Sequence, residues 1–191
     1  MSTRFTLQVA LISLLFMLCS GCTTVSGTST TFFEVPLPPK GTEVVLLPGE
    51  DMSALEWSAY HEQFSLSLQK AGYRVGAQPQ PGAWYAVVRW GMGNDSTEQN
   101  IASPIVNGQG QVIGVSNRAR SLHLRRVFVD VFQTDPRDTA SATRPAAQVR
   151  VVSTGRSEDI AAVMPCLAKM VFAKWPDAKS GRAYELEEFM P

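Results

Sequence analysis

The longest candidate strand in this chain, Leu122 to Thr134, is followed across a polar turn by the next longest, Ala146 to Thr154. Both runs are rich in β-branched or aromatic residues, which suit a pleated, half-buried surface. Thr134-Asp135-Pro136 to Pro145 between them is turn chemistry, so the two are expected to pair as an antiparallel hairpin. That pairing commits the chain to an antiparallel sheet. The remaining question is what packs against it.

Thr31-Phe32-Phe33-Glu34-Val35 and Glu43-Val44-Val45-Leu46-Leu47 read as further strands, and Pro36-Leu37-Pro38-Pro39 as a stiff spacer between them rather than a PxxP ligand. Ser53-Ala54-Leu55-Glu56 has capping-box spacing. Trp57, Tyr60, Phe64, Leu68 and Ala71 follow in steps of three and four, which predicts a helix from Ser53 to Ala71, closed by Gly72. Leu55, Ala59 and Leu66 lie on its opposite side and are read as surface. Tyr73 to Val75 and Trp84 to Trp90 read as strands. From Gly91 to Arg120 the chain turns rich in Gly, Asn, Ser and Gln, and a long loop is expected, with a small hairpin projecting around Asn107-Gly108. Ser157-Glu158-Asp159 opens a second helix with the apolar stripe Ile160, Val163, Met164, Leu167, Met170 and Val171, in which Pro165 removes a hydrogen bond. Ala183 to Leu186 is a last edge strand. This order predicts an α+β fold over residues 32–191, a mostly antiparallel sheet with two main helices packed on one face.

The first residues bear on location. Arg4 precedes an apolar run from Phe5 to Leu18, and Ser20-Gly21 supply small residues, which together read as an export signal over residues 1–21. The run falls short of the roughly 20 residues needed to span a bilayer. Cys22, directly after Ser20-Gly21, resembles the bacterial lipobox cysteine, although Cys19 stands where leucine is typical. That resemblance implies covalent lipid on Cys22, palmitate included, and each buried methylene strengthens such an anchor by about 0.8 kcal/mol. Thr23, where an aspartate would mark inner-membrane retention, implies the outer membrane of a Gram-negative bacterium. Residues 22–31, dominated by Thr, Ser and Gly, are expected to be a flexible tether. Removing residues 1–21 takes one of 17 basic residues and none of 17 acidic ones, leaving a net charge of −1. Such a balance gives no nucleic-acid surface. With Cys22 acylated, the cysteine count leaves no disulfide framework.

The helix ending in Lys70-Ala71-Gly72-Tyr73, the strand Tyr85-Ala86-Val87-Val88-Arg89-Trp90, the strand Val127-Phe128-Val129-Asp130-Val131-Phe132 and the helix closing on Lys174-Trp175-Pro176 carry a resemblance over residues 30–176. They resemble the envelope-lipoprotein family called domain of unknown function 4136. Trp175 stands where Phe is commoner in that family, and the Gly91 to Arg120 segment is longer than its pattern. The resemblance implies a periplasm-facing α+β domain and transfers no catalytic residue.

Candidate chemistry is sparse. Ser67 and Lys70 have SxxK spacing and Lys179-Ser180-Gly181 approximates KTG, but Ser67 falls at the end of its helix, where that acyl-enzyme chemistry needs a helix start. Cys166 sits beside an apolar helix stripe and reads as a small hydrophobe rather than a nucleophile partnered by His61 or His123. The two histidines lack zinc-ligand spacing. Gly108-Gln109-Gly110 lacks the helix that a phosphate loop requires. Arg118, Arg120, Arg125 and Arg126 form a charge cluster suited to an anionic partner, although alternation sends Arg125 and Arg126 to opposite faces. The expectation is a non-enzymatic module, bound to the membrane through its lipid and to another envelope protein, with no cofactor and no metal. The alternative is a carrier holding a lipid or glycan between helices and sheet.

Overall fold

The computed structural model describes residues 24–80, 82–138, 144–175 and 177–189, and of 94–102, 117–120 and 189 it describes the backbone alone. The chain order is β1 (Thr24–Phe33), β2 (Glu43–Pro48), α1 (Ala54–Lys70), β3 (Arg74–Gly76), β4 (Trp84–Val106), β5 (Val112–Phe132), β6 (Ala147–Gly155), α2 (Ile160–Phe172) and β7 (Ala183–Phe189). Seven strands form one sheet in the order β3-β2-β4-β5-β6-β1-β7. β2 runs parallel to β3 and β4, and the other pairings are antiparallel. The expected hairpin of β5 and β6 is there, with Val127 opposite Val151 and Val129 opposite Val149.

Both helices lie on one face, and alternation decides which residues they cover. Val127, Val129 and Val131 point inward together with Val149, Val151, Ala86, Val88, Val44 and Leu46, all buried. α1 adds Phe64 and Leu68, and α2 adds Met164, Leu167 and Met170, each fully buried. The capping box at α1 is complete: the Ser53 hydroxyl accepts from the Glu56 N–H at 3.1 Å, and the Glu56 carboxylate accepts from the Ser53 N–H at 3.3 Å. Gly72 ends the helix at φ +96°, a left-handed conformation that costs glycine little. Leu55 and Leu66, on the far side of α1, are exposed. The core packed between helices and sheet is filled by large side chains.

Two expectations need correction. The expected tether over 22–31 is, from Thr24 onward, the first ten-residue strand, and it pairs on both sides, with β6 and with β7. Its inward face is Val25, Gly27, Ser29 and Thr31, all buried, so a period of two is present but is written in small and polar residues. Small residues are needed because α2 crosses close above: a β-carbon on Gly27 would lie 3.1 Å from the Met170 sulfur and 3.0 Å from the Val152 carbonyl. The second correction concerns Gly91 to Arg120, where the expected hairpin turn at Asn107-Gly108 is present but the long loop carrying it is not. β4 and β5 run straight through this segment, paired from Thr97 with Leu122 out to Val106 with Val112, as a two-stranded ribbon beyond the sheet. Ribbon and sheet meet at a register shift between Gly93 and Thr97. Neither face of an isolated ribbon has a core to cover, so no alternation marks it in sequence.

Candidate functional site on the open face of the sheet

The face turned away from the helices carries the side chains that interleave with the buried valines. Register aligns three strands there. Arg89 on β4 lies opposite Phe128 on β5, which lies opposite Arg150 on β6. Both guanidinium groups approach the Phe128 ring, at 5.9 Å and 5.7 Å from its centroid. One step along, Val87, Asp130 and Gln148 form the next cross-strand row. Asp130 accepts from Gln148 at 2.7 Å and is ion-paired with Arg89, so the largely buried carboxylate is held on both sides. Beside these rows, Leu47, Val87 and Phe132 floor an open cleft of about 660 Å³ rimmed by Arg89, Arg137 and Arg144. Asp135 binds Arg137 through two guanidinium nitrogens at 2.9 Å and 2.7 Å, which holds its carboxyl below the usual carboxylate range. The result is one aromatic ring flanked by two arginines beside a shallow apolar floor, with Arg89 and Arg137 each held by a carboxylate.

Among the described side chains, those expected from sequence do not form one site. Cys22 and the export signal lie outside the described residues. Arg118 and Arg120 stand on the ribbon opposite Ile101 and Gln99, with side chains outside the described set. Arg125 is a correction: it faces the helices, is 3 % exposed, and donates to the Ser157 carbonyl at 2.9 Å. Gly155 leaves it room, since a β-carbon there would lie 2.7 Å from its guanidinium. Burial pushes the Arg125 pKa down, and the side chain cannot meet an outside anion. Arg126 alone of that pair faces outward, half-buried on the open face. Alternation separates the two as expected, which takes Arg125 out of the expected cluster. Arg89 and Arg150, which no motif in the sequence singles out, come together on the open face instead. The signal that could have found them is the residues alternating with Val127, Val129 and Val131, but only the strand register brings the two arginines together.

No acyl-enzyme site is assembled. The Ser67 hydroxyl donates back to the Gln63 carbonyl of its own helix at 2.8 Å, while Ser180 is held at Phe33, and the two line different grooves. Cys166 is fully buried, and burial pushes its thiol up, away from thiolate reactivity. His61 stacks edge-on against Trp57, and His123 faces Glu158 at 3.4 Å. Among the described residues, no three of His, Cys, Asp and Glu converge as metal ligands, and no helix is long and apolar enough to cross a membrane.

No protein-family model matches this chain, and no curated protein does either. Among solved structures it is similar to a PDZ domain protein from Parabacteroides distasonis, with a TM-score of 0.50 and 10% identity over 93% of this chain and 42% of that one. It thus spans less than half of that protein's length. A PelC dodecamer from Paraburkholderia phytofirmans follows at a TM-score of 0.40, 11% identity, 80% of this chain and 99% of that one. A minor lipoprotein from Acinetobacter baumannii has a TM-score of 0.37 and 9% identity, covering 71% and 93%. At 10% identity, the first likeness is one of fold and not of function.

Proposed function

We propose that the chain is an outer-membrane lipoprotein, anchored through Cys22, facing the periplasm and related to the domain of unknown function 4136 family. In this reading it is a non-enzymatic module that binds another envelope protein through the open face of its sheet. The observation that carries the reading is the aligned row Arg89, Phe128 and Arg150, with Asp130 fixed beside it, left uncovered by either helix. Aromatic and arginine groups held rigidly on a strand scaffold lose little freedom on binding, which favours a protein surface bearing carboxylates. A filled core argues against the carrier alternative. The test is photo-crosslinking in the native host from positions 150 and 28 on the open face, with Glu62 on the exposed side of α1 as comparison. One discrete protein adduct from the open face, lost from position 150 on Arg89→Glu and from position 28 on Arg89→Glu with Arg150→Glu, supports the proposal. Equal labelling from all three positions refutes it, and turnover of a peptidoglycan or ester substrate that disappears on Ser67→Ala or Cys166→Ala refutes its non-enzymatic part.

A further inference from the structure

Nine large apolar side chains are exposed among the described residues, and five of them, Ile105, Val106, Val112, Ile113 and Val115, are gathered at the tip of the β4–β5 ribbon. None of the five belongs to either hydrophobic cluster of the fold. Val106 pairs with Val112, and Val115 lies opposite Pro104 on the same side of the ribbon, while Ile105 points to the other side. The tip is therefore apolar all round, with one richer side. Its turn is closed on itself: the Asn107 side-chain carbonyl accepts from the N–H groups of Gln109 at 3.0 Å and Gln111 at 2.9 Å, and the Asn107 N–H donates to the Gln111 carbonyl at 2.9 Å. Polar groups satisfied in this way cost less to remove from water.

Register also fixes where the ribbon leaves the sheet. Gly27 of β1 is level with Ser153 of β6, and Gly155 is level with His123 of β5, so the ribbon starts at the end of the sheet where β1 begins. Cys22 stands two residues before Thr24, a reach of about 7 Å. A lipid on Cys22 thus brings the start of β1 close to the bilayer, with the root of the ribbon two strands away, about 10 Å, at the same end of the sheet, and the tip about 30 Å further on, ten residues at about 3 Å each. A single ribbon on its own cannot cross the hydrocarbon, because both its edges carry backbone groups left unpaired by the sheet that lipid cannot satisfy.

We infer that the ribbon lies along the membrane surface and that its tip dips into the interfacial layer of the leaflet holding the Cys22 lipid, making a second contact that fixes the domain's orientation. The occupant of the apolar tip is lipid, and this rests on the anchor reading above. Interfacial burial by roughly 5–10 Å matches the short apolar length of the tip.

The test places an environment-sensitive fluorophore on Ile113→Cys in the lipid-anchored full chain, with Arg150→Cys as comparison. Vesicles of phosphatidylethanolamine and phosphatidylglycerol with brominated acyl chains supply the quencher. Cys166, being buried, stays unlabelled in the folded protein. Quenching at position 113 several-fold above that at 150 is expected, as is its loss on Val106→Asp with an unchanged urea midpoint. Equal quenching at the two positions overturns the inference. So does a blue shift at 113 without vesicles, which marks a second copy on the tip, or crosslinking of 113 to another protein in place of lipid quenching. Extraction separates this from the anchor reading: if Cys22→Ser leaves the chain on the membrane, the anchor fails and quenching at 113 still reports the tip. An anchored chain with an unquenched tip sinks the inference alone.

Discussion

Substitution of Gly27 by valine tests whether residues 24–31 are a core strand or a tether. The glycine faces α2, where an added β-carbon meets the Val152 carbonyl at 3.0 Å, the Met170 sulfur at 3.1 Å and the Ser153 β-carbon at 3.3 Å. All three contacts are tighter than ordinary van der Waals packing, and two belong to the neighbouring strand, which cannot move without disturbing its pairing with β1. Overpacking of this kind costs typically 1–3 kcal/mol. Valine recovers part of that through its preference for strands and its smaller loss of backbone freedom, leaving a net cost of about 1–2 kcal/mol. For a domain of this size the melting temperature should fall by roughly 2–8 °C. Urea unfolding of the mature chain, followed by the fluorescence of Trp90 and Trp175, reads the change directly. Thr30→Val, on the half-buried outer side of the same strand, should stay within about 0.5 kcal/mol of wild type. Met170→Ala combined with Gly27→Val should cost less than the sum of the two, because the sulfur is one of the groups in the way. A midpoint unmoved by Gly27→Val, or strict additivity with Met170→Ala, would refute the close crossing of α2 over β1.

Tyr73 is 4 % exposed and donates to the Pro38 carbonyl at 2.8 Å, and burial, with Asp177 nearby, pushes its pKa up to about 12. The folded state therefore keeps its proton where the unfolded chain loses it, so stability is intact below pH 10 and falls by about 2 kcal/mol between pH 10 and 12; urea midpoints across that window should decline, and Tyr73→Phe should flatten the decline. Arg125→Met removes a buried charge while keeping the bulk, so the midpoint should hold or rise, whereas Arg125→Ala should lower it by about 2 kcal/mol or more through lost packing. Phe64, fully buried and stacked on Trp90 with ring centroids 6.0 Å apart, should cost about 3–5 kcal/mol on Phe64→Ala, read by the same unfolding curves. The Cys166 thiol should react with an alkylating reagent only at the rate of unfolding, and fast modification in native buffer would contradict its place in the core.

What could be read from sequence follows how strongly each residue is constrained by water. The capping box at Ser53 and Glu56, the cap at Gly72 and the stripe of α2 are local patterns, and the structure contains each. The α+β layering follows from them once β5 and β6 are paired. Only the end of β1, from Thr31 to Phe33, was legible as a strand; its first seven residues escaped because the buried face must be small, and Ser29 looks like linker composition although it lies inside. Ser153 shows how such polar residues are tolerated there: its hydroxyl donates to the Ser26 carbonyl at 2.6 Å, so burial leaves it satisfied. The open-face site escaped for a different reason. Arg89, Phe128 and Arg150 are distant in sequence, and only the register of three strands makes them neighbours. The ribbon is the instructive case, because folding places no demand on its tip. A solvated hairpin needs a closed turn and two paired strands, which Asn107 and the backbone supply. It does not need isoleucine and valine at five exposed positions, and in water these carry an aggregation liability. Cross-strand pairing of Val106 with Val112 uses part of this apolar surface, none of the five packs into the core, and the membrane contact inferred above gives the rest a partner.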